Sequence, residues 1–278
     1  MELRVWADGL DHPEGVSVDR HGVIHAGGEA GQLYRIDGDG SWRELAETGG
    51  FVLGLAFDAD DRLYACDLGR KEVVRWDPAT GLVARYSDGT SARPMRTPNF
   101  LSFAADGTLY VTDSGSWKGE DGCVYRVGAD GTTEVWSTEA AAFPNGCCLS
   151  RTGDALYVVE SNGPTLVRLP ICEDGSAGPR QVVAIFDADV VPDGVAACAD
   201  GSFVVGCYRP DALLHVAADG EVTRMASDPQ GVLLAAPTNV VFAGEGLGEL
   251  VVASLGRWHL TRGSLGVVGA PLQYPTVG

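Results

Sequence analysis

No apolar run in the 278-residue sequence approaches the roughly 20 residues a membrane-crossing helix needs, which excludes a helical membrane protein. No cluster of Lys and Arg offsets the formal charge of -18, so phosphate backbones are excluded as partners and no nucleic acid is expected. The opening MELRVWADGL carries acidic Glu2 and Asp8 and no long apolar core, so it does not read as a secretory signal. Paired cysteine motifs are missing too. Cys66, Cys123, Cys147, Cys148, Cys172, Cys198 and Cys207 are odd in number, and no two have the spacing of a zinc knuckle or redox pair. Most lie in apolar strand-like runs and read as buried thiols of a reducing cytoplasm. Helical periodicity is nearly absent. There is no Ser-centred nucleophile elbow, and no Gly-rich phosphate cradle follows a strand and opens a helix.

What is present is glycine, acid and repetition. The 38 glycines and 45% hydrophobic content suit a well-buried fold rich in tight turns, and much of the acidity sits in Asp-Gly turns. Six segments align: HPEGVSVDRHGVIHAGG (12–28), FVLGLAFDADDRLYACD (51–67), TPNFLSFAADGTLYVTD (97–113), FPNGCCLSRTGDALYVVE (143–160), VPDGVAACADGSFVVGC (191–207) and APTNVVFAGEGLGELVVAS (236–254). Each is an apolar strand, a tight turn bearing Asp or Gly, and a second apolar strand. Two further strand-like pieces follow most copies, such as EVVRWD and LVARYS. The copies start 39, 46, 46, 48 and 45 residues apart. Four antiparallel strands at this period predict an all-β, six-bladed propeller forming a single domain over 1–278. The sixth copy is short of an outer strand, and the N-terminal LRVWAD is expected to supply it and so close the ring.

At the entrance of each inner strand, equivalent positions hold Glu14, Leu53, Asn99, Asn145, Asp193 and Thr238. Five are preceded by proline (Pro13, Pro98, Pro144, Pro192 and Pro237), which suits the first position of a strand. In a propeller such positions form a ring about the axis. Polar residues there could simply line a wet channel or cap strand starts. Two facing carboxylates, however, would repel and raise one another's pKa, and a divalent cation removes the conflict. Glu14, Asn99, Asn145 and Asp193 make a hard, all-oxygen set that suits Ca²⁺ or Mg²⁺ better than Zn²⁺.

The Glu of HPEG, the Asn of TPNF, the Asn of FPNG and the Asp of VPDG resemble the metal ligands of the gluconolactonase and regucalcin (senescence marker protein) family. The resemblance covers essentially the whole chain, including DPATGLV (77–83) and the late GAPL. It implies a six-bladed propeller with one catalytic divalent cation, calcium first, with Mg, Mn or Zn as alternatives. It also implies lactone hydrolysis, with the metal polarising the carbonyl and Asp193 activating water. Sugar lactonases of this type often carry Arg two residues before the first Asn and Asp directly after it; here those positions are Thr97 and Phe100, with Arg96 as a nearby substitute.

Rim loops at the same end carry the substrate-binding candidates Phe100, Arg96, Trp117, His12 and Tyr208, with Asp113 as a second layer behind the metal. Lys118, Glu160, Asn162, Arg209, Trp258 and His259 share these loops. Trp117, in the long segment DSGSWKGEDG, is a candidate roof, and Phe100 is expected either to face the pocket or to turn into inter-blade packing. The expected partner is a small-molecule substrate, without membrane contact, for a monomer or small homo-oligomer. A metal-assisted cyclase, isomerase or lyase, and a binding propeller with a structural ion, are the competing readings.

Overall fold

Each repeat folds as one four-stranded antiparallel sheet, and the six sheets surround a common axis as the blades of a propeller. The computed structural model describes residues 2–278. The inner strands are Val16–Val18, Val52–Phe57, Pro98–Phe103, Pro144–Leu149, Val191–Ala197 and Pro237–Ala243. Each packs on the next, and the last packs back on the first. Among the described residues the only helical turn is Glu245–Leu247.

The sixth blade contains Pro237–Ala243, Glu249–Ser254 and His259–Ser264, and its outer strand is Glu2–Asp8. Leu3 lies opposite Gly263 and Val5 opposite Thr261, so the N-terminal strand closes the ring as the alternation of LRVWAD predicts. Burial falls from the axis outward. Val16–Val18 is wholly buried, whereas the outer strand Trp42–Glu47 of the same blade is half-exposed. Inner strands have a blade on both faces and therefore read as apolar runs, while outer strands meet water on their free side.

The acidic turns act as expected: Asp19, Asp58, Asp106, Asp130 and Asp200 each accept the backbone N–H two residues on. All seven cysteines are free. Six are buried, but Cys172 is exposed, because it occupies a turn outside the strands rather than an apolar run.

Glycine explains how the inner strands come so close to the axis. Directly after four of the six entrance positions stand Gly15, Gly54, Gly146 and Gly194. A Cβ on Gly146 would lie 2.6 Å from both the Asp193 carbonyl oxygen and Gly194 Cα, and one on Gly194 would strike the Thr238 carbonyl. Backbone meets backbone here, and only a residue without a side chain fits. Gly146→Ala should therefore destabilise the protein by about 1–3 kcal/mol through overpacking. Denaturant unfolding that matches the wild type would show that the contact is not needed.

Beyond Ser264 the chain crosses the far end of the ring. Val268 O accepts from Ala199 N, Tyr274 Oη donates to Val18 O, and Val277 O accepts from Arg62 Nη1. Ala270–Tyr274 thereby help to line an axial cavity of about 270 Å³.

Candidate functional site

Pro98, Pro144 and Pro237 open their inner strands, Pro192 is second in its strand and Pro13 lies just ahead of the first, and the residues after Pro13, Pro98, Pro144 and Pro192 are the candidate ligands. Glu14, Asn99, Asn145 and Asp193 are all buried. Leu53 instead packs in the apolar cluster between the second and third blades, and Thr238 Oγ1 donates to the Glu14 carbonyl 2.8 Å away. These two positions tie blades together and offer no free oxygen.

Two serines set the direction of the amides. Asn99 Nδ2 donates to Ser114 Oγ (3.0 Å), whose hydroxyl donates to Pro144 O (2.7 Å). One blade on, Asn145 Nδ2 donates to Ser161 Oγ (3.2 Å), and that hydroxyl donates to Pro192 O (2.7 Å). A hydroxyl has one proton; having given it to a carbonyl, it can only accept from the amide. Each amide nitrogen is thus turned to its serine and each Oδ1 away from it. Asn145 Oδ1 is buried with no partner, as is Glu14 Oε2. Leaving such atoms unsatisfied costs about 1–3 kcal/mol each, and more for a charged group.

The two carboxyls lie in the same field. Burial, and then the nearby Asp193 charge, hold the Glu14 pKa well above its ordinary value. Burial pushes Asp193 up to about 8, against a smaller lowering by the neighbouring Asn145 side chain. Orphaned buried oxygens, repelling carboxyls and an all-oxygen donor set fit a hard divalent cation.

A sign for pH follows. With no cation bound, the folded state keeps protons on Glu14 and Asp193 that the unfolded chain releases in the ordinary carboxylate range. The folded state then holds more protons, so stability falls as the pH rises towards about 8. Chelator-treated protein should melt lower at about pH 8 than at about pH 5, with a shallower decline in Asp193→Asn. A slope that the substitution leaves unchanged would assign the effect to other groups.

The remaining candidates are placed as follows. Asp113 Oδ2 accepts from Arg96 N (2.6 Å), and its Oδ1 accepts from Thr97 N and Gly115 N. It pins the backbone that enters the Asn99 strand, as Asp67 does at Phe51 and Glu160 at Ala142. The Arg96 guanidinium is committed to Asp121 Oδ2 (2.5 Å) and Ser116 Oγ (2.6 Å). Backbone and side-chain bonds from Ser116 and Arg96 lower the Asp121 pKa to about 2. Arg96 thus braces the 114–122 loop. Phe100 lines the axial cavity and packs against the cluster that contains Cys147 and Leu156. Trp117 meets Phe143 edge-on at 4.9 Å, so the aromatic roof pairs with Phe143 and not with Phe100. His12 Nδ1 lies 3.1 Å from Asp11 and 3.3 Å from Glu29, with its ring 5.3 Å from Trp258. The donor atoms of Asp11, His12 and Glu29 lie within 4.8 Å of one another, a trio at the rim separate from the axial set. Tyr208 is half-buried under Arg209, and His259 is buried against Leu233 O.

Sequence reasoning missed Ser114 and Ser161. Both follow the acidic end of a second strand, in TDSG and VESN, and stand 15 and 16 residues after their asparagines. That near-constant offset was the available signal.

A family model described as SMP-30/Gluconolactonase/LRE-like region matches residues 13–256. The gluconolactonase of Zymomonas mobilis is 23% identical over 218 residues, covering 72% of this chain and 60% of that protein. The chain therefore spans less than two thirds of that relative's length. The 6-deoxy-6-sulfogluconolactonase of Pseudomonas putida is 28% identical over 244 residues, 81% of this chain and 76% of that one. The solved structure of regucalcin, a calcium-binding protein from Agrobacterium tumefaciens, superposes with a TM-score of 0.78 at 18% identity. It covers 100% of this chain and 97% of that one, a likeness of fold.

Proposed function

The chain belongs to the SMP-30/gluconolactonase/LRE-like family, and from that premise we propose that it is a divalent-cation-dependent lactonase working at the axial site. The observation that carries this reading is the buried set in which Glu14 Oε2 and Asn145 Oδ1 have no partner while Glu14 and Asp193 crowd each other. Two relatives named as lactonases and a calcium-binding structural neighbour support it.

Glu14, Asn99, Asn145 and Asp193 would hold the ion, with calcium as the first choice for four oxygen donors. When bound, the cation supplies Lewis acidity towards the lactone carbonyl. Asp193, once ionised, takes a proton from water as the water oxygen attacks that carbonyl carbon. The ring C–O bond then breaks, and the proton passes to the departing alkoxide, so that the product is a hydroxy acid. Ser114 and Ser161 keep the amides turned, and Asp113 holds the strand entrance behind Asn99. The free thiols favour a reducing compartment, the cytoplasm.

Calcium-supplemented protein should release acid from a panel of γ- and δ-lactones in a pH-stat, with the hydroxy acid as sole product. Calcium-bound protein that opens none of them would contradict the hydrolase reading.

A further inference from the structure

The residues two before each entrance position, His12, Phe51, Thr97, Phe143, Val191 and Ala236, form a lip around the strand entrances. All six are half-buried. Three hold a left-handed backbone although none is glycine: His12 (φ 40°), Phe143 (φ 59°) and Ala236 (φ 47°). Each of the three stands directly before a proline, and such a conformation persists only where the surroundings impose it. Four of the six side chains are apolar. The polar two are already engaged, Thr97 Oγ1 with Gly115 O at 2.7 Å and His12 Nδ1 with Asp11 and Glu29. Arg96, next to Thr97 in the sequence, is tied to Asp121 and Ser116. Above the lip stand two exposed indoles, Trp117 against Phe143 and Trp258 against His12.

We infer that this lip selects lactones bearing an alkyl or aryl substituent and disfavours polyhydroxylated sugar lactones. The inference rests on the lactonase reading of the same site. A sugar lactone brings several hydroxyls, each needing a partner once water is displaced, and Thr97 Oγ1 and His12 Nδ1 are committed elsewhere. An alkyl chain or aryl ring needs no such partner and covers Phe143 and the indoles.

Two measurements on the calcium-supplemented full chain test it. In the first, kcat/KM is compared for glucono-δ-lactone and for δ-lactones of increasing alkyl length. The alkyl lactones should win by at least about tenfold, with each added methylene raising kcat/KM about two- to fourfold until the chain leaves the lip. Phe143→Asn, which tolerates the left-handed backbone, should move the ratio at least about tenfold towards gluconolactone. In the second, the non-hydrolysable lactams of both classes are titrated against tryptophan fluorescence. An alkyl lactam that binds at least about tenfold tighter than gluconolactam supports the lip even where no lactone is opened, and in that case only the hydrolase reading falls. Weaker discrimination by the lactams, or a gluconolactone preference in turnover, overturns the inference and leaves the hydrolase reading standing.

Discussion

Protein stripped of divalent ions should lose lactone turnover by at least about a hundredfold, and added Ca²⁺ should restore it. The expectation comes from the electrostatics of the axial site. Glu14 and Asp193 are both buried, and without a counter-charge their pKa values rise, Asp193 to about 8, so at neutral pH Asp193 keeps its proton. A protonated Asp193 cannot take a proton from water. On the proposed mechanism, chelation would remove the Lewis acid and disarm the base together. Mg²⁺ and Mn²⁺ should restore activity to lesser degrees, because smaller ions demand a tighter octahedron than two carboxyls and two amides fixed by serines present. Full turnover in chelated protein with no metal detectable by elemental analysis would be incompatible with this scheme.

Asp193→Asn should lower kcat by about 10²–10⁴ even at saturating calcium, since the substitution keeps volume and an oxygen donor but removes the base. Asn145→Ala should behave differently. It deletes a neutral donor whose Oδ1 has no other partner, so its main effect should be a higher calcium requirement, with much of kcat recovered in excess metal. Calcium-dependent rates measured for both variants separate ligand from base. Equal recovery of the two would leave Asp193 as a ligand only and move the search for the base to Asp113 or His12.

The architecture was legible because a blade is a local object. Its strands, Asp turns and prolines recur in the sequence at nearly constant spacing, and LRVWAD alternates as an edge strand must. The entrance ring was legible for the same reason, since Pro98 and Pro144 mark equivalent points. Side-chain commitments were not. Arg96 is adjacent to a candidate ligand strand, yet its partner Asp121 lies 25 residues on, across a loop with no periodicity. Trp117, the candidate roof, meets Phe143 edge-on, a contact that no sequence pattern marks. Cys172 looked like its fellow thiols until the turn around it was placed. The tail from Val268 to Val277 was not legible, because it is held by Ala197, Ala199 and Ala59 backbone groups and by the Arg62 side chain of distant blades, which leave no pattern in the tail's own residues.

The most direct test of the axial site is a calorimetric titration of Ca²⁺ into chelator-treated protein, run beside the double variant Glu14→Gln/Asn145→Ala. The wild type should take up one ion per chain and the variant should show no saturable heat. A variant that still binds one ion with wild-type affinity would place the cation elsewhere, with the Asp11, His12 and Glu29 trio the first place to look.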